Sequence, residues 1–118
     1  RATMVDSLQP QLKVSFRKSI AMGPGKAALL DAISKNGSIS AAARELGMSY
    51  RRAWILVNTM NNSFLSPLVE TLTGGKRGGG ARVTEFGEEV LHQYRSMEEK
   101  ATKSVRTEMR RFSEYMRD

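Results

Sequence analysis
Two groups of side chains in one short stretch could act on a polyanion. Arg51 and Arg52 are followed at helical spacing by Ile55 and Asn58, and Lys76 and Arg77 stand alone among the five glycines of residues 74–80. Arginine presents a planar fork of donors that fits guanine O6 and N7 or a phosphate, and asparagine pairs with adenine or with the backbone of a duplex. Glycines leave backbone amides free to approach phosphates closely, and the two cations between them supply charge. The glycine loop is no Walker A motif, because no GK[ST] follows at the required spacing, and it does not open a helix as a dinucleotide fingerprint does. The competing reading of the loop is a plain flexible hairpin tip.

Other chemistry finds little support. His92 is the single histidine, and its place on an expected long helix suits a surface or interface group rather than a base. Asp and Glu fall mostly on helix surfaces, with no carboxylate pair or metal cluster evident. The expectation is a protein that is not an enzyme, with no catalytic residue, no metal ligand and no cofactor. Without cysteine there is no disulfide framework and no thiolate metal site, which fits a cytoplasmic protein. No apolar run approaches the roughly 20 residues that span a bilayer, and no signal-peptide pattern opens the chain. The first residue is Arg1 rather than Met, so some natural N-terminal residues are expected to precede it.

The formal net charge of +7 is unevenly placed. Residues 1–34 carry five basic and two acidic groups, residues 35–82 seven and two, and residues 83–118 seven and eight. The excess sits on the stretch with the candidate residues and on its approach. Such an excess favours a polyanion through release of phosphate counterions. A merely solubilising surface is the alternative when charge is taken alone.

The elements that must position these groups can be read in order. Leu12, Val14, Phe16, Ile20 and Met22 alternate with polar or small residues, the period of a half-buried early strand, which Gly23, Pro24 and Gly25 stop. Residues 26–35 read as a first helix with Ala27, Leu30 and Ile33 on one side, ended by Asn36 and Gly37. Ser38 or Ser40 can cap a second helix whose packing face is Ile39, Ala42, Ala43 and Leu46, and Gly47 supplies the turn after it. Ser38 and Ser40, at the start of that helix, join the candidate contacts to a polyanion.

A third helix starts near Ser49. At about 100° per residue, Tyr50, Ala53, Trp54, Val57, Met60 and Phe64 fall on one arc and Arg51, Arg52, Ile55, Asn58, Thr59 and Asn62 on the other. The first arc packs and the second is free to read a major groove. An ordinary amphipathic surface helix shows the same division, but here an alanine-rich helix and a glycine turn precede it and a basic glycine loop follows. Trp54 belongs to the core beside Ala53 and Val57 rather than to base stacking, while Tyr50 can hold its hydroxyl near a phosphate.

Residues 69–73 and 81–84 are β-prone flanks of the glycine loop and form a hairpin wing. From Glu85 the chain reads as helical almost to its end, with Phe86, Val90, Tyr94, Met97, Ala101, Val105, Met109, Phe112 and Met116 in one apolar stripe. A helix over about 85–116 would extend about 45 Å, farther than so small a domain can cover by itself. The simplest cover is the same helix of a second copy, which makes a homodimer; folding back over its own core is the alternative. The fold class expected is therefore mainly α with a small β-hairpin wing, a winged helix-turn-helix with an early strand and a long C-terminal dimerisation helix. One domain over residues 1–118 is expected, its reading head at about 23–84.

GSISAAARELGMSYRRAW, the NTMN that follows it and LVETLTGGKRGGGARVTEFGEEVL resemble the DNA-binding domain of the molybdate-responsive ModE family of transcriptional regulators. The resemblance covers about residues 10–100, and LysR-type regulators are more distantly similar through the GSISAAA-like helix. It implies a winged helix that dimerises through its first and last helices, binds a double-stranded DNA operator and represses molybdate-uptake operons. By position it places recognition-helix contacts on Ser49, Tyr50, Arg51, Arg52 and Ile55 and wing contacts on Lys76 and Arg77. Molybdate enters only through the resemblance. Family members that sense it carry further C-terminal β-barrel domains, whereas this chain ends at Asp118 and contains nothing like their SARN-type oxyanion site. The functional class that competes with a DNA-binding regulator is a dimerising protein-interaction module with only weak affinity for DNA.

Overall fold
The computed structural model describes residues 7–73 and 79–117. The glycine-rich tip at 74–78, with Lys76 and Arg77 in it, lies outside the described residues. In chain order the elements are β1 (Val14–Phe16), β2 (Ser19–Met22), α1 (Pro24–Asn36), α2 (Ile39–Leu46), α3 (Tyr50–Ser63), β3 (Val69–Leu72), β4 (Gly80–Val83), α4 (Glu85–Ser104) and α5 (Arg106–Ser113). Helices with a small antiparallel wing make this the α+β winged helix-turn-helix expected.

The early strand is in fact a hairpin. β1 and β2 pair antiparallel, Phe16 opposite Ser19 and Ser15 opposite Ile20, with an irregularity after Val14 that sets it against Met22. Arg17 makes the reversal possible by adopting a left-handed φ of 57°. The irregularity leaves neighbouring residues Ala21 and Met22 both buried, which a regular alternation does not allow.

Three helices form the reading head. Proline in its first turn starts α1, and Gly37, with φ 75°, ends it by donating to the Ile33 carbonyl at 2.8 Å. The Ser38 hydroxyl caps α2 by accepting from Ala41 N at 3.1 Å. Gly47, φ 68°, closes α2, and Met48 N then donates to the Ala43 carbonyl. Ala42, Ala43 and Ala53 are buried where α1, α2 and α3 meet, and Leu30, Ile33, Val57 and Met60 fill the core around them.

The wing and α4 are locked to this head by polar groups. Ala81 N donates to the Gly37 carbonyl at 2.9 Å, so β4 is pinned to the turn between α1 and α2. Asn61 on α3 accepts from Leu68 N and Val69 N and donates to the Val69 carbonyl, which satisfies the start of β3. Thr84 caps α4 by accepting from Gly87 N, while its own hydroxyl donates to the Pro67 carbonyl at 2.8 Å. Farther along, Tyr94 donates to the Leu12 carbonyl at 2.7 Å, and Arg95 pairs with Asp31 of α1 and with Glu98.

The single long helix expected over 85–116 is two helices. α4 ends at Ser104, Val105 departs to φ −112° and ψ 14°, and α5 runs on from Arg106. Thr102, Ser104, Val105 and Thr107 are weak helix formers, and the Ser104 hydroxyl donates to the Ala101 carbonyl at 2.8 Å in competition with the helical ladder. The straight part is thus 20 residues, about 30 Å at 1.5 Å per residue.

Candidate nucleic-acid interface
α3 carries its candidate residues because its caps and packing leave it no other orientation. Ser49 starts it by accepting from Arg52 N at 3.1 Å. Ala53, Val57 and Met60 are buried on the inner side, which turns Arg51, Arg52, Ile55, Asn58 and Asn62 outward. The division read from the sequence holds with one exception. Tyr50, placed on the packing arc, is 55% exposed and meets Trp54 edge to face at 6.2 Å.

The outward face is electrically uncommitted. Among the described residues Arg51 and Arg52 form no ion pair, whereas Lys35 is held by Glu45 at 3.1 Å and Arg82 by Glu70. The hydrogen bond from Lys35, followed by that from Asn36, holds the Glu45 carboxyl below the usual carboxylate range. Two adjacent unpaired cations, Arg51 and Arg52, thus stand in the first turn of α3. Arg44, on α2, is likewise exposed and unpaired among the described residues. Sequence reasoning passed over Arg44, although it follows Ser40 by one helical turn.

The remaining candidates fall into three groups. Ser40 is exposed, with its hydroxyl 3.5 Å from that of half-buried Ser38. Ser38 and Ser49 each accept one hydrogen bond at a helix start, which leaves the hydroxyl donor and a second lone pair for another partner. Lys76 and Arg77 lie outside the described residues. The flanks of their loop are in place: β3 and β4 pair Val69 with Val83 through Leu72 with Gly80. Between this wing and the reading head is a cleft of about 360 Å³, lined by Ile39, Ser40, Tyr50, Trp54, Thr71 and Thr73 among others. Ser40 and Tyr50 of the head therefore share one concave surface with the wing.

No helix is long and apolar enough to cross a membrane among the described residues. Nor do the described residues bring together three or more His, Asp or Glu side chains that could hold a metal ion. The chemistry on offer is hydrogen bonding and charge, presented by one convex helix face beside a hairpin.

Comparison with known proteins agrees with this geometry. The chain is 49% identical over 82 residues to the molybdenum-pterin-binding protein MopB of Rhodobacter capsulatus, covering 70% of this chain and 30% of that protein. It is 40% identical over 78 residues to the molybdenum transport protein ModE of Azotobacter vinelandii, covering 66% and 29%. With the DNA-binding transcriptional dual regulator ModE of Escherichia coli (strain K12) it shares 39% identity over 83 residues, covering 70% and 32%. The chain thus spans about a third of the length of the curated relatives it matches. Residues 26–88, from the first turn of α1 to the first turn of α4, match the bacterial regulatory helix-turn-helix proteins of the lysR family, and the chain belongs to that family.

Proposed function
We propose that this chain is the DNA-reading domain of a transcriptional regulator, and that it acts as a homodimer repressing operons for molybdate uptake or metabolism. The observation that carries the reading is the free outer face of α3. Arg51, Arg52, Ile55 and Asn58 are exposed directly after a tight turn, with a wing alongside. Arg51, Arg52, Ile55 and Asn58 meet base edges in the major groove. Ser38, Ser40, Ser49 and Tyr50, with Lys76 and Arg77 of the wing, meet phosphates. The link to molybdate comes from the names of the relatives, and no cofactor is assigned to these residues. The domain works in the cytoplasm, where its DNA is.

The test is selection of genomic duplex fragments by the purified protein, scored for a shared two-fold sequence and for its place near molybdate-transport genes. Replacing Arg51 or Arg52 with alanine is expected to cost about 1–3 kcal/mol on that sequence and to relax base preference at one position. Unchanged affinity and unchanged preference in both variants would remove α3 from the reading role.

A further inference from the structure
One member of the outer face of α3 has the wrong polarity for its surroundings. Ile55 is 53% exposed, one turn after Arg51 and just before Asn58 and Thr59 on the same side. A β-branched side chain at a solvent-facing helical position adds nothing to helix propensity. Its surroundings make the spot more apolar still. The Thr59 hydroxyl donates to the Ile55 carbonyl at 2.8 Å, so it is spent on the helix backbone and not offered outward as a donor. The Ser63 hydroxyl likewise donates to the Thr59 carbonyl. On both sides of Ile55 the groups stay free: Arg51 and Asn58 make no side-chain hydrogen bond among the described residues. The face thus presents a charged fork, an apolar centre and an amide along one line.

In the major groove the apolar feature that distinguishes one base pair from another is the C5 methyl of thymine. We infer that Ile55 is a specificity-determining residue that seats a thymine methyl, so that each half-site carries a thymine at one fixed position between the bases met by Arg51 and Asn58. The inference rests on the reading of α3 as the helix that enters DNA. It adds the class of base recognised at the helix centre and the atom recognised, a methyl group rather than a hydrogen-bonding edge.

The experiment uses the full chain and the duplex it selects, with each thymine replaced in turn by deoxyuridine, which removes only the methyl group. Wild-type protein is expected to lose about fourfold in affinity at one position per half-site, equivalent to the ~0.8 kcal/mol of one buried carbon group. Ile55→Ala is expected to bind the thymine and uracil duplexes equally, while Ile55→Val and Arg51→Ala keep the preference for thymine. Wild-type protein that selects a sequence but tolerates uracil at every position overturns the inference alone. So does an Ile55→Ala variant that still discriminates thymine from uracil. Failure to select any sequence overturns the DNA-reading assignment itself, and is told apart from these outcomes by the absence of a preferred duplex.

Discussion

At the first turn of α4, Gly87 is the residue with least room to change. A methyl group built on it would lie 2.3 Å from the Leu68 carbonyl oxygen and 2.8 Å from a methyl of Val83. The carbonyl has little freedom to yield, because it accepts from Thr84 N at 2.9 Å. Gly87→Ala gains up to about 1 kcal/mol of helix propensity but meets overpacking that costs typically 1–3 kcal/mol or more. The expected outcome is net destabilisation of about 1–2 kcal/mol in denaturant unfolding, with α4 displaced from the wing. A variant as stable as the parent would show that the two elements are not packed so closely. Tyr94 offers a second test, through pH. Burial, reinforced by the negative charge of Glu98, pushes its phenol up to about 12 from about 10. A raised pKa means that the protonated phenol, bonded to the Leu12 carbonyl, is the form that stabilises the fold. Its contribution is complete below pH 10 and is lost as pH rises from 10 through 12. Tyr94→Phe should lower stability by about 1 kcal/mol at neutral pH and fall less steeply between pH 10 and 11.5. Parallel stability curves for the two proteins over that interval would contradict the assignment.

Among the elements, those with local signals were readable from sequence and those decided by competition were not. Ser38, Ser49 and Thr84 cap helices where a small hydroxyl precedes an apolar period, and Gly37 and Gly47 take the positive φ that helix ends demand. The alternation from Leu12 to Met22 hid its reversal, because Arg17 and Lys18 are not the Asn-Gly or Asp-Gly pair that marks a two-residue hairpin. The break at Val105 was outweighed by an apolar stripe whose spacing continues through it. Asn61, which bonds three backbone groups at the start of β3, shows no periodicity that separates it from Asn58 and Asn62. The outward arc of α3 was legible because one helix has one buried arc, whereas the exposure of Arg44 depends on which side of α2 stays open. The wing carries its own prediction. Glycines flank Lys76 and Arg77 on both sides, so these two cations are the only side-chain charge at the tip. Their double alanine variant is expected to weaken binding to all duplexes alike and to shallow the dependence of log K on log salt by up to about two units. An unchanged salt slope in a titration from low to moderate salt would take the wing off the phosphates.

For the whole molecule, the question is what covers its far end. The protein measures 55 × 29 × 24 Å with a radius of gyration of 16.8 Å, against about 13 Å for a compact domain of this length. The excess comes from α4 and α5 running past the reading head. In their apolar stripe Tyr94 is buried and Phe86, Val90, Ala101, Val105 and Met109 are half-buried, whereas Met97, Phe112 and Met116 are 43%, 53% and 41% exposed. The break at Val105 shortens the straight part of the proposed dimer contact and leaves Met97, on α4, as the residue at which to test it. A second copy laid against this stripe would bury these side chains and set two α3 helices apart by about 34 Å or a multiple, the repeat of successive major grooves on one side of a duplex. A charge at Met97 would have to be desolvated twice in such a contact. Met97→Glu is therefore expected to sediment as a monomer at micromolar concentration while remaining folded, and to lose affinity for a two-fold operator while keeping its weaker affinity for an isolated half-site. Sedimentation equilibrium of the parent protein comes first. A monomer there would remove the dimer and the expectation of a two-fold operator, whereas a dimer unaffected by Met97→Glu would move the contact away from α4.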